Sequence, residues 1–375
     1  MTPAVSFVVP CYKLAHLLPD CVASILSQSY ADFEVLIMDD CSPDNTPQVA
    51  QSFHDPRVKH IRNDPNLGHL RNYNKGITMA RGRYIWLISA DDRLRSQHVL
   101  RRYLHLMDRR PDVGFAFCRA VAIRDGEETE IVQRFSHGDR DLIFDGHAFL
   151  ERLRMGNCVA APSVLVRKNC YDRILFPLDL PNTGDWFLWC AFSMDYNVAY
   201  FAESMVGYRY HETQMTSWFL REARQLLDDN ELLLRLHVMT RAQRAALPSI
   251  AAKWEQSLAD VAAYQIVRAD SDACAEFIAS KRIQSVLNTY VADGRKRAAL
   301  ERRIRTSIGD LYYDRGIRSK ALSCYATAIR RGTLTPKVLA KFLLFGMGPI
   351  GSYVINASRM IRSSRARSER LDEQG

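Results

Sequence analysis

The first half of the chain alternates short apolar runs with stretches of helical spacing. Residues 5–9, 33–38, 58–61, 84–89 and 113–123 are runs of strand length. Between them, Leu18, Val22, Ile25 and Leu26 recur at helical intervals within residues 17–27. Residues 46–53, 70–80 and 99–107 carry similar spacing, with Asp44 or Asn45 near the cap of the first. This alternation predicts βαβ units and a mostly parallel sheet. Asp125-Gly126 is a turn signal, so residues 130–135 are expected to pair antiparallel with the strand before them. A helix over 145–154, a strand over 159–166, a helix over 186–193 and closing strands over 198–201 and 206–210 complete the pattern.

Past residue 216 only helical periodicity remains, over 226–236, 250–267 and 273–291. Residues 307–329 place Gly309, Tyr312, Gly316, Ala321, Tyr325 and Ala328 at spacings that suit one tetratricopeptide-like hairpin or two ordinary packed helices. Residues 338–370 join an apolar stretch (Leu339, Phe342, Leu343, Ile350, Val354) to a basic run (Arg359, Arg362, Arg365, Arg367, Arg370). That pairing suits either an anionic membrane surface or a docked helix with a basic tail. The expected division is therefore 1–216, an α/β domain, 217–337, a helical domain, and 338–375, an amphipathic basic tail.

Composition adds limits. The 375 residues, 47% hydrophobic and 25% charged, allow a full core and more than one domain. A formal net charge of +9 favours anionic partners: phosphorylated substrates, anionic membrane or nucleic acid. No nucleic-acid-binding motif accompanies the charge, so no nucleic-acid partner is expected. The nine cysteines are scattered, with no C-x-x-C and no zinc spacing, which fits reduced thiols in a cytosol. A strand is expected almost at the first residue, so no signal peptide is expected, and no apolar stretch reaches the length that spans a bilayer.

The chemistry concentrates at two strand ends. Asp39-Asp40 closes the run 33–38, and Asp91-Asp92 closes the run 83–90. In open α/β sheets the carboxyl ends of strands face the ligand crevice. Four carboxylates there repel one another unless something cationic or hydrogen-bonding meets them. A divalent metal carrying a nucleotide diphosphate is the natural candidate.

Several segments then occur together and in order: Val5-Ser6-Phe7-Val8-Val9-Pro10-Cys11-Tyr12, Ser24-Ile25-Leu26-Ser27-Gln28-Ser29-Tyr30, residues 33–42 through Asp39-Asp40-Cys41-Ser42, Asn66-Leu67-Gly68, Arg71-Asn72, Ala80-Arg81-Gly82-Arg83-Tyr84-Ile85, Ala90-Asp91-Asp92 and Gly184-Asp185-Trp186. In these, residues 4–212 resemble an inverting family 2 glycosyltransferase of the GT-A fold. The resemblance implies a divalent metal, Mn2+ or Mg2+, bound through Asp92, with Asp91 beside it on the sugar or ribose. It implies that Asp40 accepts a hydrogen bond from the ring N–H of uracil or thymine, with Asp39 touching ribose. Pro10 and Tyr12 end the first strand, where the base would pack on Tyr12 or Tyr12 would fill the rim. Asn66, Gly68 and Arg71 would meet the base or diphosphate as the chain enters a helix. Asp185 would be the base that deprotonates the acceptor hydroxyl. Trp186 is the candidate for packing under an acceptor sugar, and His211 for an extra metal or diphosphate contact. Two positions depart from the family pattern: Ser89 stands where many relatives carry another Asp, and Gly184 where the base often follows Glu.

The expected partners are a UDP- or dTDP-sugar donor and a glycan or lipid-linked acceptor, in cell-surface polysaccharide assembly at the cytoplasmic face of a membrane. Two other readings compete. A sugar-phosphate nucleotidyltransferase would need a Gly-rich basic loop after the first strand, and Pro10-Cys11-Tyr12-Lys13-Leu14 lacks it. A non-catalytic scaffolding subunit would use the helical half alone, leaving Asp40, Asp92 and Asp185 without purpose. Trp254, Leu287 and Tyr290 suit either a homodimer contact or core.

Overall fold

The computed structural model describes residues 2–153, 156–211 and 317–330, with 294, 298, 306, 309, 310, 312, 339, 342 and 343. The chain divides into two compact units, residues 1–228 and 229–375.

In the first unit the apolar runs become a ten-stranded mixed sheet. Strands β1 (Val5–Cys11), β2 (Phe33–Asp39), β3 (Val58–Arg62) and β4 (Tyr84–Leu87) lie in the order β3-β2-β1-β4, all parallel. All seven residues of β1 and of β2 are buried, because helices cover both faces, so these strands read as apolar runs interrupted only by Ser6 and Glu34 before the terminal Asp39. Helices α1 (Leu18–Leu26), α2 (Thr46–Gln51), α3 (His69–Met79) and α4 (Val99–Arg109) connect or flank them. On one face Phe7 stacks on Trp86 with ring centroids 5.6 Å apart. On the other, α3 lies so close that a Cβ at Gly76 would sit 2.5 Å from Val8 Cγ1. That close approach fixes where the loop before α3 meets the sheet.

The remaining strands are β5 (Arg93–Leu94), β6 (Val113–Arg124), β7 (Glu127–Ile131), β8 (Leu142–Phe144), β9 (Leu165–Arg167) and β10 (Asn197–Arg209). Strand β9 runs antiparallel to both β4 and β6, and β10 lies between β6 and β5. The Asp125-Gly126 turn joins an antiparallel pair, β6 and β7, but the paired strand is 127–131 rather than the expected 130–135, and Gln133–Phe135 is a 3-10 turn. Two more expectations shift. The closing strands over 198–201 and 206–210 are one strand, with register irregularities near Ser204 that absorb the interruption. The expected strand over 159–166 shortens to β9, preceded by a 3-10 turn at Ala161–Ser163. Pro162 cannot donate to a ladder, and its carbonyl instead accepts from Trp86 Nε1 at 2.7 Å. Helices α5 (Gly146–Leu153), α6 (Lys168–Tyr171) and α7 (Gly184–Ser193) complete the unit.

In the second unit, helix α8 (Arg318–Arg330) packs on helical residues 309, 310 and 312, within the stretch where the hairpin was expected. Tyr325 donates to Asp310 Oδ1 at 2.7 Å, and Gly309 leaves room for its ring: a Cβ there would lie 2.7 Å from Tyr325 Cε1. The helices expected over 226–236, 250–267 and 273–291, and nearly all of the 338–370 tail, lie outside the described residues, as do Trp254, Leu287 and Tyr290. Among the described residues no helix is long and apolar enough to cross a membrane.

At the amino ends of the strands, Glu34 is buried to 4% side-chain exposure. It accepts from Arg81 Nε and Nη2 at 3.0 and 2.7 Å, Arg81 N at 3.0 Å, Ser6 Oγ at 2.8 Å and Lys59 Nζ at 3.2 Å. Burial alone would raise its pKa, but these donors outweigh it and hold the group at about 2. A depressed carboxylate stabilises the fold above its unfolded value and loses that contribution as pH falls through its folded value. Urea titrations should therefore show stability falling between about pH 5 and pH 2 by about 2–3 kcal/mol more than in Glu34→Gln. Parallel pH curves for the two proteins would refute it.

Candidate functional site

The parallel ladder runs past β4: Ile88 N donates to Val8 O at 3.0 Å and Ala90 N to Pro10 O at 3.1 Å. Asp40 N donates to Cys11 O at 3.0 Å on the other side. Asp39-Asp40 and Asp91-Asp92 therefore leave the sheet on either side of the end of β1, at one carboxyl edge.

Asp39 is fully buried and its oxygens are taken. Oδ1 accepts from Ser42 N at 2.8 Å, and Oδ2 meets Arg62 Nη1 at 2.7 Å and His60 Nε2 at 3.2 Å. Burial would raise this carboxyl, but Ser42, Arg62 and His60 outweigh it and lower it. The expected ribose contact does not fit this placement, because Asp39 has no surface to offer. Asp40 gathers the next loop. Oδ1 accepts from Asn63 Nδ2 and Leu67 N, both at 2.8 Å, and Oδ2 accepts from Gly68 N at 2.9 Å. A carboxylate has about four acceptor positions, so about one remains, on Oδ2. Asn66 shapes the loop by donating to Asp40 O at 2.6 Å and accepting from Gly68 N at 3.0 Å. Gly68 has φ +80°, which side chains disfavour, and so lets the loop turn into α3. Asn63 also donates to Asn72 Oδ1 and accepts from Lys75 Nζ, tying the loop to α3.

Asp91 and Asp92 sit in the turn between β4 and β5. Asp91 Oδ2 lies 3.0 Å from His211 Nε2, while its Oδ1 is buried with no hydrogen-bond partner among the described residues. Asp92 is buried, and its Oδ1 accepts from Arg209 N at 2.9 Å. Burial, then the charge of Asp91, pushes the Asp92 carboxyl well up, against the pull of Arg209. Arg209 also donates from Nε to Asp91 O at 2.7 Å and from Nη2 to Asp20 Oδ2 at 2.7 Å. Sequence reading missed this clamp, although Arg209 stands two residues before His211.

Tyr12 is 44% exposed at the end of β1, whereas Pro10 is buried within it. On α3 the buried face carries Leu70, Asn72, Gly76 and Ile77. By helical spacing Arg71 falls on the opposite side; it is exposed and bonds to no described residue. Tyr73 lies on the buried face, its ring against His69 and Phe176 at 5.6 and 5.5 Å. Burial first, then the charges of Asp91, Asp185, Asp92 and Asp40, push its phenol up. Tyr73 rather than Arg71 is thus the α3 side chain turned toward the carboxylates, a placement that the His69, Tyr73, Gly76 spacing already carries.

The segment before α7 docks on α3. Asn74 exchanges two hydrogen bonds with the Phe176 backbone at 2.9 and 3.0 Å, and His69 Nε2 meets Pro181 O at 2.9 Å. Gly184 fits under Phe176, whose Cδ1 would lie 3.1 Å from an added Cβ. Asp185 follows, in the first turn of α7, half-buried and raised by that burial. Its Oδ1 accepts from Trp186 N at 2.7 Å and its Oδ2 from Asn157 Nδ2 at 2.8 Å. Trp186 does not take the acceptor-side place expected of it. It is 4% exposed, and its Nε1 donates to Leu153 O at 2.9 Å, so its ring joins α7 to α5.

The acidic turn suits a divalent cation. Asp91 Oδ1 is an orphaned buried acceptor beside a second buried carboxylate, and carboxylates with an imidazole are hard-to-borderline ligands. Among the described residues no three His, Cys, Asp or Glu side chains form a ready cage, so a bound ligand would have to supply the remaining donors.

Residues 6–168 match the model for Glycosyl transferase family 2. Among curated proteins, the chain is 40% identical to the succinoglycan biosynthesis protein ExoO of Rhizobium meliloti over 106 residues, 28% of this chain and 30% of that one. It is 31% identical to glycosyltransferase GlyG of Streptococcus pneumoniae over 115 residues, 30% of this chain and 38% of that one. It is 35% identical to WfgD of Escherichia coli, a UDP-Glc:alpha-D-GlcNAc-diphosphoundecaprenol beta-1,3-glucosyltransferase, over 24% of this chain and 35% of that one. The chain spans 30–56% of the length of the first curated relatives it matches. Among solved structures, S. aureus TarS 1-349 in complex with UDP-GlcNAc aligns with a TM-score of 0.58 at 15% identity, covering 88% of this chain and 92% of that one, which shows a shared fold. Residues 6–168 are thus similar in sequence to family 2 glycosyltransferases, the acidic strand ends lie inside that similarity, and the chain shares its fold with TarS.

Proposed function

We propose that this protein is an inverting, metal-dependent glycosyltransferase that moves a sugar from UDP or dTDP to a hydroxyl of a glycan or lipid-linked acceptor in cell-surface polysaccharide synthesis. The observation that carries the reading is the docking of residues 174–183 on α3 through Asn74 and His69. We read it as carrying Asp185, from a distant stretch of chain, toward the edge that holds Asp40, Asp91 and Asp92, a reading supported by Tyr73, which feels the charges of all four. Polysaccharide assembly is favoured by the relatives ExoO and WfgD, and a nucleotide-sugar donor by the TarS complex with UDP-GlcNAc.

On this reading the remaining acceptor position on Asp40 Oδ2 takes one ring N–H of uracil or thymine, and the exposed Tyr12 ring packs on the base. Asp91, Asp92 and His211 would hold the divalent cation, with Asp91 Oδ1 the free ligand atom. When bound, the cation neutralises charge developing on the leaving diphosphate. Tyr73 donates a hydrogen bond toward the same charge. Asp185 takes the proton from the acceptor hydroxyl as that oxygen bonds to the anomeric carbon and the diphosphate leaves with its electron pair. Attack from the face opposite the diphosphate inverts the configuration. The setting we propose is the cytoplasmic face of a membrane, with the basic segment 338–370 against anionic lipid and a homodimer as an open partner.

Calorimetry with UDP, dTDP, GDP and CDP, with and without Mn2+, tests the donor half. UDP or dTDP should bind in a metal-dependent manner, and Asp91→Asn should weaken that binding about 10-fold or more. A preference for GDP would overturn the Asp40 assignment. Absence of binding to all four would overturn the enzyme reading.

A further inference from the structure

Asp185 is held by a residue 28 positions earlier in the chain. Asn157 Nδ2 donates to its Oδ2 at 2.8 Å. The amide cannot be reversed without loss, because Asn157 Oδ1 accepts from Val159 N at 3.2 Å. The segment is pinned again one residue on, where His137 Nε2 meets Cys158 O at 3.1 Å inside a cage of Phe117, Phe144, Phe149 and Tyr200. Gly156, at φ +136°, permits the backbone to enter this arrangement. Asn157 is therefore a fixed donor aimed at a carboxylate whose other oxygen is occupied by the Trp186 amide.

We propose that Asn157 is a positioning residue for the candidate base: its amide fixes the Asp185 carboxylate and favours its ionised form, so that the group can accept a proton near neutral pH. The inference rests on the function proposed above. Burial raises the Asp185 carboxyl, and a donor to its oxygens works against that rise. The other groups that face Asp185 do not replace this donor. They are Arg134 on the 3-10 turn Gln133–Phe135, Tyr73 on α3, Tyr171 on α6 and Cys190 on α7. Of these only Arg134 is charged at neutral pH, and it is exposed, so solvent screens it.

The test uses full-length protein labelled with 13C at aspartate carboxyls, the Asp185 signal being assigned from Asp185→Asn. In Asn157→Ala the Asp185 midpoint should rise by about one pH unit, and in Asn157→Asp by more, because a like charge replaces a donor. Asn157→Ser, which keeps a hydroxyl donor, should fall between wild type and alanine. Release of UDP from UDP-glucose and UDP-GlcNAc in water is the kinetic probe. At pH 7 it should fall about 10-fold in Asn157→Ala, with the acid limb of its pH profile moved up to match. UDP binding with Mn2+ should stay at the wild-type level. An unmoved Asp185 midpoint in both the alanine and aspartate variants overturns the proposal, as does loss of UDP binding in step with activity, which would mark Asn157 as architectural. If Asp185→Asn releases UDP as fast as wild type, the base assignment itself fails, whatever the carboxyl titration shows.

Discussion

Asp185→Asn should lower sugar transfer by about 10²–10⁴-fold while leaving UDP and Mn2+ binding unchanged. The substitution is nearly isosteric. Asn157 and the Trp186 amide both donate to the native carboxylate, and an asparagine oxygen can accept from only one of them without turning its NH2 toward the other. The α7 helix itself should persist, because Thr183 rather than Asp185 stands at its cap. What disappears is a site for the acceptor proton. The split between catalysis and binding is the diagnostic, since the carboxylates proposed for the donor, Asp40, Asp91 and Asp92, lie in the turns after β2 and β4. A fall in UDP affinity equal to the fall in rate would place Asp185 on the donor instead. Wild-type transfer would remove it from the chemistry.

Arg209→Met should destabilise the metal-free protein by about 3 kcal/mol, because it leaves neighbouring carboxylates without their main cation. Arg209 is 12% exposed and joins Asp20, the Asp91 carbonyl and, through its own N–H, the Asp92 carboxylate. Methionine preserves the packing of the stem and the backbone bond, so the loss isolates the guanidinium. A fall in Tm of about 10 °C is expected for a unit of this size. Saturating Mn2+ should recover more of that loss in the variant than it adds to the wild type, since a cation bound only to the folded state stabilises it by mass action. Equal Mn2+ shifts in the two proteins would show that Arg209 and the cation do not share the same charges.

Both acidic turns were legible in the sequence because buried parallel strands read as nearly unbroken apolar runs, and the Asp pairs stand where those runs stop. The order of helices and strands through residue 124 followed from the same contrast. Side-chain direction was less legible. Arg71 looked attractive because it is cationic and follows Gly68, yet the α3 face toward the sheet passes through Asn72, Tyr73 and Gly76. Trp186 stood next to the candidate base, yet every residue of α7 from Trp186 to Ser193 is buried, so its neighbour's exposure says nothing of its own. Asn157 carried no local signal at all. Its meaning arises only when the loop it belongs to is folded against α7, and no periodicity encodes that meeting. Asp39 and Asp40 are adjacent and chemically identical, yet one is sealed by Arg62 and His60 while the other organises the Leu67–Gly68 loop.

The segment that matches the family model ends at residue 168, but β10 begins at Asn197 and inserts between β6 and β5. A chain cut at the end of the match would keep Asp39, Asp40, Asp91 and Asp92 and lose the strand whose Arg209 meets the last two. The long β6 and the short β5 would then present unpaired amides and carbonyls, a template for self-association rather than a smaller enzyme. The segment that the family model matches thus lacks a strand that its own sheet needs, and the candidate base and the Arg209 clamp also lie beyond it.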